Sequence, residues 1–142
     1  MLLCGALGIG FGLAPAVGSG VGADDEPELK LKRPRTKFLR QRMPNERRRP
    51  AIPVRITGEI LNLDKAEDPE EYYCLEEVWI WDDDTESEYA PDCDPYEEGA
   101  ELKRFFSATH QFRSPGSYQV RLRLERNGDT ILSSTTIVDI RS

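Results

Sequence analysis

From residue 51 onward the chain alternates apolar and polar residues. Residues 116–126 are the clearest case, because four apolar or aromatic side chains recur at every second position: Tyr118, Val120, Leu122 and Leu124. A period of two is typical of a β-strand with one buried face. Residues 52–61 and 102–112 show the same period, and residues 75–81 form a run rich in aromatic and β-branched side chains that also favours a strand.

A hairpin follows the clearest strand. Asn127-Gly128 is a pair that readily takes the two positive φ angles of a type I′ turn, which would return the chain through residues 129–140 with Arg126 facing Asp129. No helical period occurs between residues 51 and 142. Short strands separated by turns predict an all-β fold, an antiparallel β-sandwich.

The amino-terminal segment predicts export. Residues 1–23 contain no charged side chain, and Val21-Gly22-Ala23 supplies the small residues that a signal peptidase requires. The alternative is an uncleaved membrane anchor, because 23 apolar residues are long enough to cross a bilayer as a helix. Seven glycines and Pro15 disfavour that helix. We therefore expect a secreted or periplasmic protein, with membrane anchoring as the alternative.

Cysteine content agrees with export. Removal of residues 1–23 takes Cys4 away and leaves Cys74 and Cys93 as the only thiols. We expect them to form a disulfide, which would stabilise the domain by about 3 kcal/mol on the chain-entropy model.

Charge divides the remainder of the chain in two. Residues 24–50 contain ten basic and five acidic side chains, whereas residues 51–142 contain nine basic and 21 acidic ones. The first segment has little apolar periodicity, so we predict a flexible basic linker before a domain at 51–142. The linker would contact anionic surfaces weakly through its charge, or serve only as a solvated tether.

Two motifs in the predicted domain resemble those of the PKD (polycystic kidney disease) domain, which reads W-D-F-G-D-G-T and then H-x-Y-x-x-x-G-x-Y-x-V-x-L. This chain has WIWDDDT at residues 79–85 and HQFRSPGSYQVRL at residues 110–122. Asp82 and Asp84 replace the glycines of the first motif. Because Asp enters the left-handed backbone region more readily than most residues, we expect the turn to be kept.

The resemblance implies an immunoglobulin-like β-sandwich in which these motif residues maintain the fold. Trp79 and Trp81 would be core aromatic residues, Asp83 would hydrogen-bond the backbone of its turn, and His110 would be a structural histidine. Tyr118, two residues after Gly116, resembles the corner tyrosine of such sandwiches, whose hydroxyl bonds upstream backbone. The resemblance also implies contact with a protein or a glycan outside the cytoplasm.

An acidic tract surrounds the first motif. Between Asp64 and Glu101 there are seventeen acidic residues and a single basic one, Lys65. Calcium takes six to eight oxygen ligands, so a calcium site is one hypothesis. Its candidate ligands are Asp82, Asp83, Asp84 and Glu86. The EF-hand spacing is absent, and a solvated acidic face or a docking surface for a basic partner are the alternatives.

Residues suited to catalysis are few. The chain has one histidine, no C-x-x-C motif and no glycine-rich phosphate loop. We expect no enzymatic activity, no specific nucleic-acid binding and no cofactor beyond the possible calcium ion. The expected function is non-catalytic binding or adhesion outside the cytoplasm, and the alternative is a calcium-stabilised structural or assembly subunit of the cell envelope.

Overall fold

The computed structural model describes residues 26–39 and 51–142, and these form eight β-strands. In chain order the strands are β1 (Glu28–Leu31), β2 (Lys37–Phe38), β3 (Ile52–Leu61), β4 (Glu76–Ile80), β5 (Glu86–Tyr89), β6 (Phe105–Phe112), β7 (Gly116–Arg126) and β8 (Asp129–Arg141). Two short 3-10 turns, Leu63–Lys65 and Pro69–Tyr72, lie between β3 and β4. Within the two described ranges, no helix has the length and apolar character needed to cross a membrane.

The strands form two sheets, which confirms the predicted all-β sandwich. One sheet has the order β1-β3-β6 and the other the order β2-β8-β7-β4-β5. All pairings are antiparallel except that of β2 with β8. The Asn127-Gly128 hairpin is also confirmed, with φ angles of 52° and 84° and Arg126 paired with Asp129.

The inward faces of the strands form one apolar core. Its fully buried side chains come from β3, β6, β7 and β8 and from the residue that follows β4, and the largest of them are Trp81, Phe112, Ile56, Ile60, Leu122 and Leu124. Apart from Trp81, whose burial the family resemblance implied, these are residues that the period of two placed on the buried faces. Packing between the two inner faces therefore explains why these segments form strands at these registers.

The structure differs from the predicted flexible linker over residues 24–50. Residues 28–31 and 37–38 are strands, because Leu29 and Leu31 bury their side chains in the core and β1 pairs with β3. Gly58 of β3 leaves room for the Leu31 side chain, because a Cβ atom there would lie 2.7 Å from Leu31 Cδ2 and the side chain would have to shift. The sandwich thus begins before residue 51. Residues 40–50 of the predicted linker and the predicted signal peptide lie outside the described residues.

The predicted disulfide is confirmed. Cys74 and Cys93 are bonded, with their Cα atoms 6.1 Å apart. The bond ties the segment before β4 to the segment after β5, so it holds the edge hairpin β4–β5 in place. Such bonds persist in oxidising compartments, which points to an extracytoplasmic environment.

Candidate functional site

The turn between β4 and β5 is built from the three consecutive aspartates. Asp82 and Asp84 have φ angles of 64° and 63°, so both lie in the left-handed region as the sequence predicted. The Trp81 N–H donates to the Thr85 carbonyl over 3.2 Å and closes the turn. Asp82 Oδ2 accepts a 2.9 Å hydrogen bond from the Gln119 N–H, which fixes the turn to β7.

Asp83 joins the turn to the opposite sheet. Its Oδ1 accepts hydrogen bonds from the N–H of Thr85, at 3.2 Å, and from the Thr85 hydroxyl. Its Oδ2 lies 2.7 Å from Nε2 of His110, a residue of β6. Both ends of this pair are mostly buried, with side-chain exposures of 24% for Asp83 and 17% for His110. The expected turn role of Asp83 is confirmed, and its bond across the sheets adds to it.

The same contacts set the charge state of Asp83. Partial burial by itself would raise the pKa of this carboxyl, but the hydrogen bonds from His110 and Thr85, together with attraction to His110, hold the pKa below its ordinary value. The carboxylate is therefore the stable form in the folded protein.

The rings of Trp79, Trp81 and His110 form a stack next to the contact between Asp83 and His110. The Trp81 ring lies parallel to that of Trp79 at 5.4 Å and to that of His110 at 4.5 Å, with an interplanar angle of 7° in both cases. The Trp81 indole N–H donates to Ser87 Oγ over 2.9 Å, and that of Trp79 to Glu77 Oε1 over 3.2 Å. Both tryptophans are buried with their donors satisfied, so their predicted core role is confirmed.

Tyr118 closes the same end of the sandwich. Its hydroxyl donates to the Ser114 carbonyl over 2.7 Å, which confirms the expected bond to upstream backbone. Its ring packs against Phe112 at 4.6 Å and lies over Gly116, the first residue of β7. Burial, followed by the negative charges of the nearby Asp83 and Asp82, raises the pKa of the Tyr118 hydroxyl.

The four candidate calcium ligands do not come together as a metal site. Asp82 and Asp83 direct their carboxylates to different partners, Gln119 on one side and Thr85 with His110 on the other. Across residues 26–39 and 51–142, no group of three or more His, Cys, Asp or Glu side chains is placed to hold a metal ion. The calcium hypothesis for this turn is therefore not supported: Asp82 and Asp83 accept hydrogen bonds from backbone N–H groups instead.

One buried carboxylate was missed by the sequence analysis. Glu77 is only 5% exposed, lies on the inward face of β4 beside Trp79, and binds Lys103 Nζ at 3.1 Å. The Lys103 ammonium also lies 5.7 Å from the Tyr89 ring centroid and 5.0 Å from that of Phe106. The alternation of β4 contained the signal, because Glu77 is two residues before Trp79 and so shares its face.

A groove of about 260 Å³ lies on the outer face of the sheet β1-β3-β6. Its outward-facing lining residues are Lys30, Lys32, Thr57, Glu59, Leu61 and Phe105. The Phe105 side chain is 66% exposed, and Phe105 is paired with Glu59 of β3. The sequence analysis missed this groove because it placed the lysines in a flexible linker.

Fold and site together define the chain as a disulfide-bonded, two-sheet β-sandwich whose aspartate turn and histidine are built into the core edge. No protein-family model, no curated protein and no solved structure matches the chain.

Proposed function

We propose that this chain is a non-catalytic extracytoplasmic binding module, with an immunoglobulin-like sandwich of the PKD type, that contacts a protein or a carbohydrate. The disulfide supports the extracytoplasmic setting.

The strand order supports the immunoglobulin-like assignment. If β1, β3 and β6 are strands A, B and E, then β4, β5, β7 and β8 take the places of C, C′, F and G in the second sheet. Trp79 is then the buried tryptophan of strand C, and Tyr118 is the corner tyrosine near the start of strand F. The aspartate turn with its left-handed residues supports the PKD type within that group.

The groove on the outer sheet face is the observation that carries the binding function. Phe105 exposes two thirds of its surface there, and the aliphatic part of Lys30 and the side chain of Leu61 extend the apolar area. The exposed Phe105 side chain, with Glu59 on the neighbouring strand and Lys30 on the strand beyond, offers apolar contact and charge together, a combination common at recognition surfaces.

The non-catalytic part of the proposal is supported by the partners of the acid and base groups. Asp83 and His110 bond to each other and to Thr85, and the His110 ring is stacked on Trp81. Glu77 is paired with Lys103. Each of these groups has its hydrogen bonds directed at the fold.

A capture experiment with a matched control tests the proposal. The chain, produced with export so that any leader is processed, is immobilised and exposed to an extracytoplasmic fraction and to a glycan array. We expect a protein or glycan that the Phe105→Ser variant fails to retain. Phe38→Ser is the control, because Phe38 is 64% exposed and lies on β2.

Three outcomes would contradict the proposal. The wild-type chain retains nothing, both variants retain the ligand equally well, or a bound glycan is cleaved. Circular dichroism of both variants ensures that a loss of binding is not a loss of folding.

A further inference from the structure

The two sides of the sandwich carry opposite charge. On one side, β1 packs near β8 and β2 pairs with β8. The edge strands of the two sheets, β1 and β2, therefore lie on the same side of the sandwich. Residues 28–38, which include β1 and β2, contain five basic side chains and one acidic side chain, Glu28. All five basic side chains are exposed: Lys30, Lys32, Arg33, Arg35 and Lys37. Only Arg33 forms an ion pair with another described residue, Asp139 at 2.8 Å.

The other side, formed by β5 and β6, is acidic along β5; the two basic residues that precede β6 are Lys103, which pairs with the buried Glu77, and Arg104. Residues 82–101, which include β5, contain ten acidic side chains and no basic one. Glu86 and Glu88 of β5 are exposed and form no ion pair with any described residue. The 2.7 Å contact of His110 with Asp83 shows that β6 lies on this same side.

The outer edge of β6 has unpaired backbone groups. The Ile60 N–H donates to the Arg104 carbonyl, so in the antiparallel register the even-numbered residues of β6 bond to β3. The N–H and C=O groups of the odd-numbered residues therefore point to the open edge: Phe105, Ser107, Thr109 and Gln111. In the part of the chain that the structure describes, β6 pairs with β3 alone.

This edge also lacks the features that usually prevent strand addition. Residues 105–112 contain no charged side chain and no proline. Eight residues of uncharged edge are long enough to pair with a second strand.

We propose that the basic β1–β2 side of one copy of this chain docks on the acidic β5–β6 side of a second copy. The open edge of β6 in the second copy then accepts an edge strand of the first. The lysines and arginines of one copy then lie against Glu86 and Glu88 of the other. Because the two docking sides differ, the contact is head-to-tail and can repeat to form linear assemblies. A two-fold pairing of β6 with β6 is disfavoured, since it would bring the two acidic β5 strands together.

The docking sides overlap the Phe105 groove at Lys30, Lys32 and Phe105. The inference goes beyond the proposed binding function because its partner is a second copy of the chain. The charge-reversal variants below change residues that do not line the groove, and Phe105→Ser changes no charge, so the two tests are distinguishable.

Sedimentation velocity of the exported chain tests the inference. At 0.01 M salt, where charges act over about 30 Å, we expect the average mass to rise with protein concentration; at 1 M salt, where they act over about 3 Å, we expect a monomer. The variants Glu86→Lys/Glu88→Lys and Arg35→Glu/Lys37→Glu should each lower the association constant at least about tenfold.

Mixing the two charge-reversed variants is the decisive measurement. Each variant keeps one docking side unaltered, so an equimolar mixture brings an unaltered basic side against an unaltered acidic side and should associate more strongly than either variant alone. The control Asp64→Lys/Asp129→Lys changes net charge by the same amount at exposed positions outside β5 and should associate like the wild type.

Ser107→Pro tests the strand edge itself. The Ser107 N–H points to the open edge, so proline there removes no bond to β3 and should abolish association in a folded protein. If this variant does not fold, the mixture of charge-reversed variants still tests the contact between copies. A wild-type chain that stays monomeric at 0.01 M salt would overturn the inference. So would association that both charge reversals leave unchanged, or a mixture that stays monomeric.

Discussion

The contact between Asp83 and His110 joins the two sheets at one end of the sandwich, and its removal should cost a measurable part of the stability. Asp83→Ala removes the 2.7 Å bond to His110, worth about 1.5–3 kcal/mol for a hydrogen bond to a charged group, and the 3.2 Å bond from the Thr85 N–H, worth about 0.5–1.5 kcal/mol. We therefore expect Asp83→Ala to lower the free energy of unfolding by about 2–4.5 kcal/mol.

A double-mutant cycle separates the pair from the turn. Urea denaturation at pH 7, followed by the fluorescence of the buried tryptophans, is measured for Asp83→Ala, His110→Ala and the double variant. The coupling energy should be about 1.5–3 kcal/mol, because only the contact across the sheets is shared by both single variants. Asp84→Asn is the control: this side chain is exposed and Asn tolerates the same backbone, so its effect should stay within about 0.5 kcal/mol.

A coupling energy near zero would refute this reasoning. Asp83 and His110 would then contribute independently, and the sheets would be held at this end by the stacked rings alone.

Asp83, the core residue Trp79 and the disulfide lead to three further predictions. The pKa of Asp83 in the folded protein lies below its unfolded value of about 4, so this carboxylate stabilises the protein above that pH, and the contribution is lost as pH falls through the folded pKa. Unfolding midpoints measured from pH 5 to about 2 should therefore fall less steeply in Asp83→Asn than in the wild type. Trp79→Ala should cost about 3–5 kcal/mol, measured by denaturant titration, because the ring is only 2% exposed; an unchanged midpoint would place Trp79 outside the core. Cys74→Ser/Cys93→Ser should cost about 3 kcal/mol in the same assay, and equal midpoints for this variant and the oxidised wild type would contradict that value.

The sequence alone determined the all-β class and the buried faces of the long strands. A strand with one buried face must repeat every two residues, so Val120, Leu122 and Leu124 could be assigned to the core without any tertiary information. The left-handed positions of Asp82 and Asp84 and the turn at Asn127 were equally predictable, because local backbone preference decides them.

The tertiary structure decided what depends on contacts between distant segments. β1 has only two inward side chains, Leu29 and Leu31, set among charged residues, and a pattern that short does not stand out from a linker. It becomes a strand because β3 offers a partner and Gly58 leaves room for Leu31.

The candidate site shows the same division. The role of Asp83 within its turn is local and was predicted, whereas its bond to His110 spans 27 residues and two sheets. The opposite charges of the two sides likewise appear only after folding, because the order of strands in the sheets sets which residues share an edge. Alternation is a property of one segment and can be read from it, but pairing and adjacency are properties of the whole chain, and only the packed structure determines them.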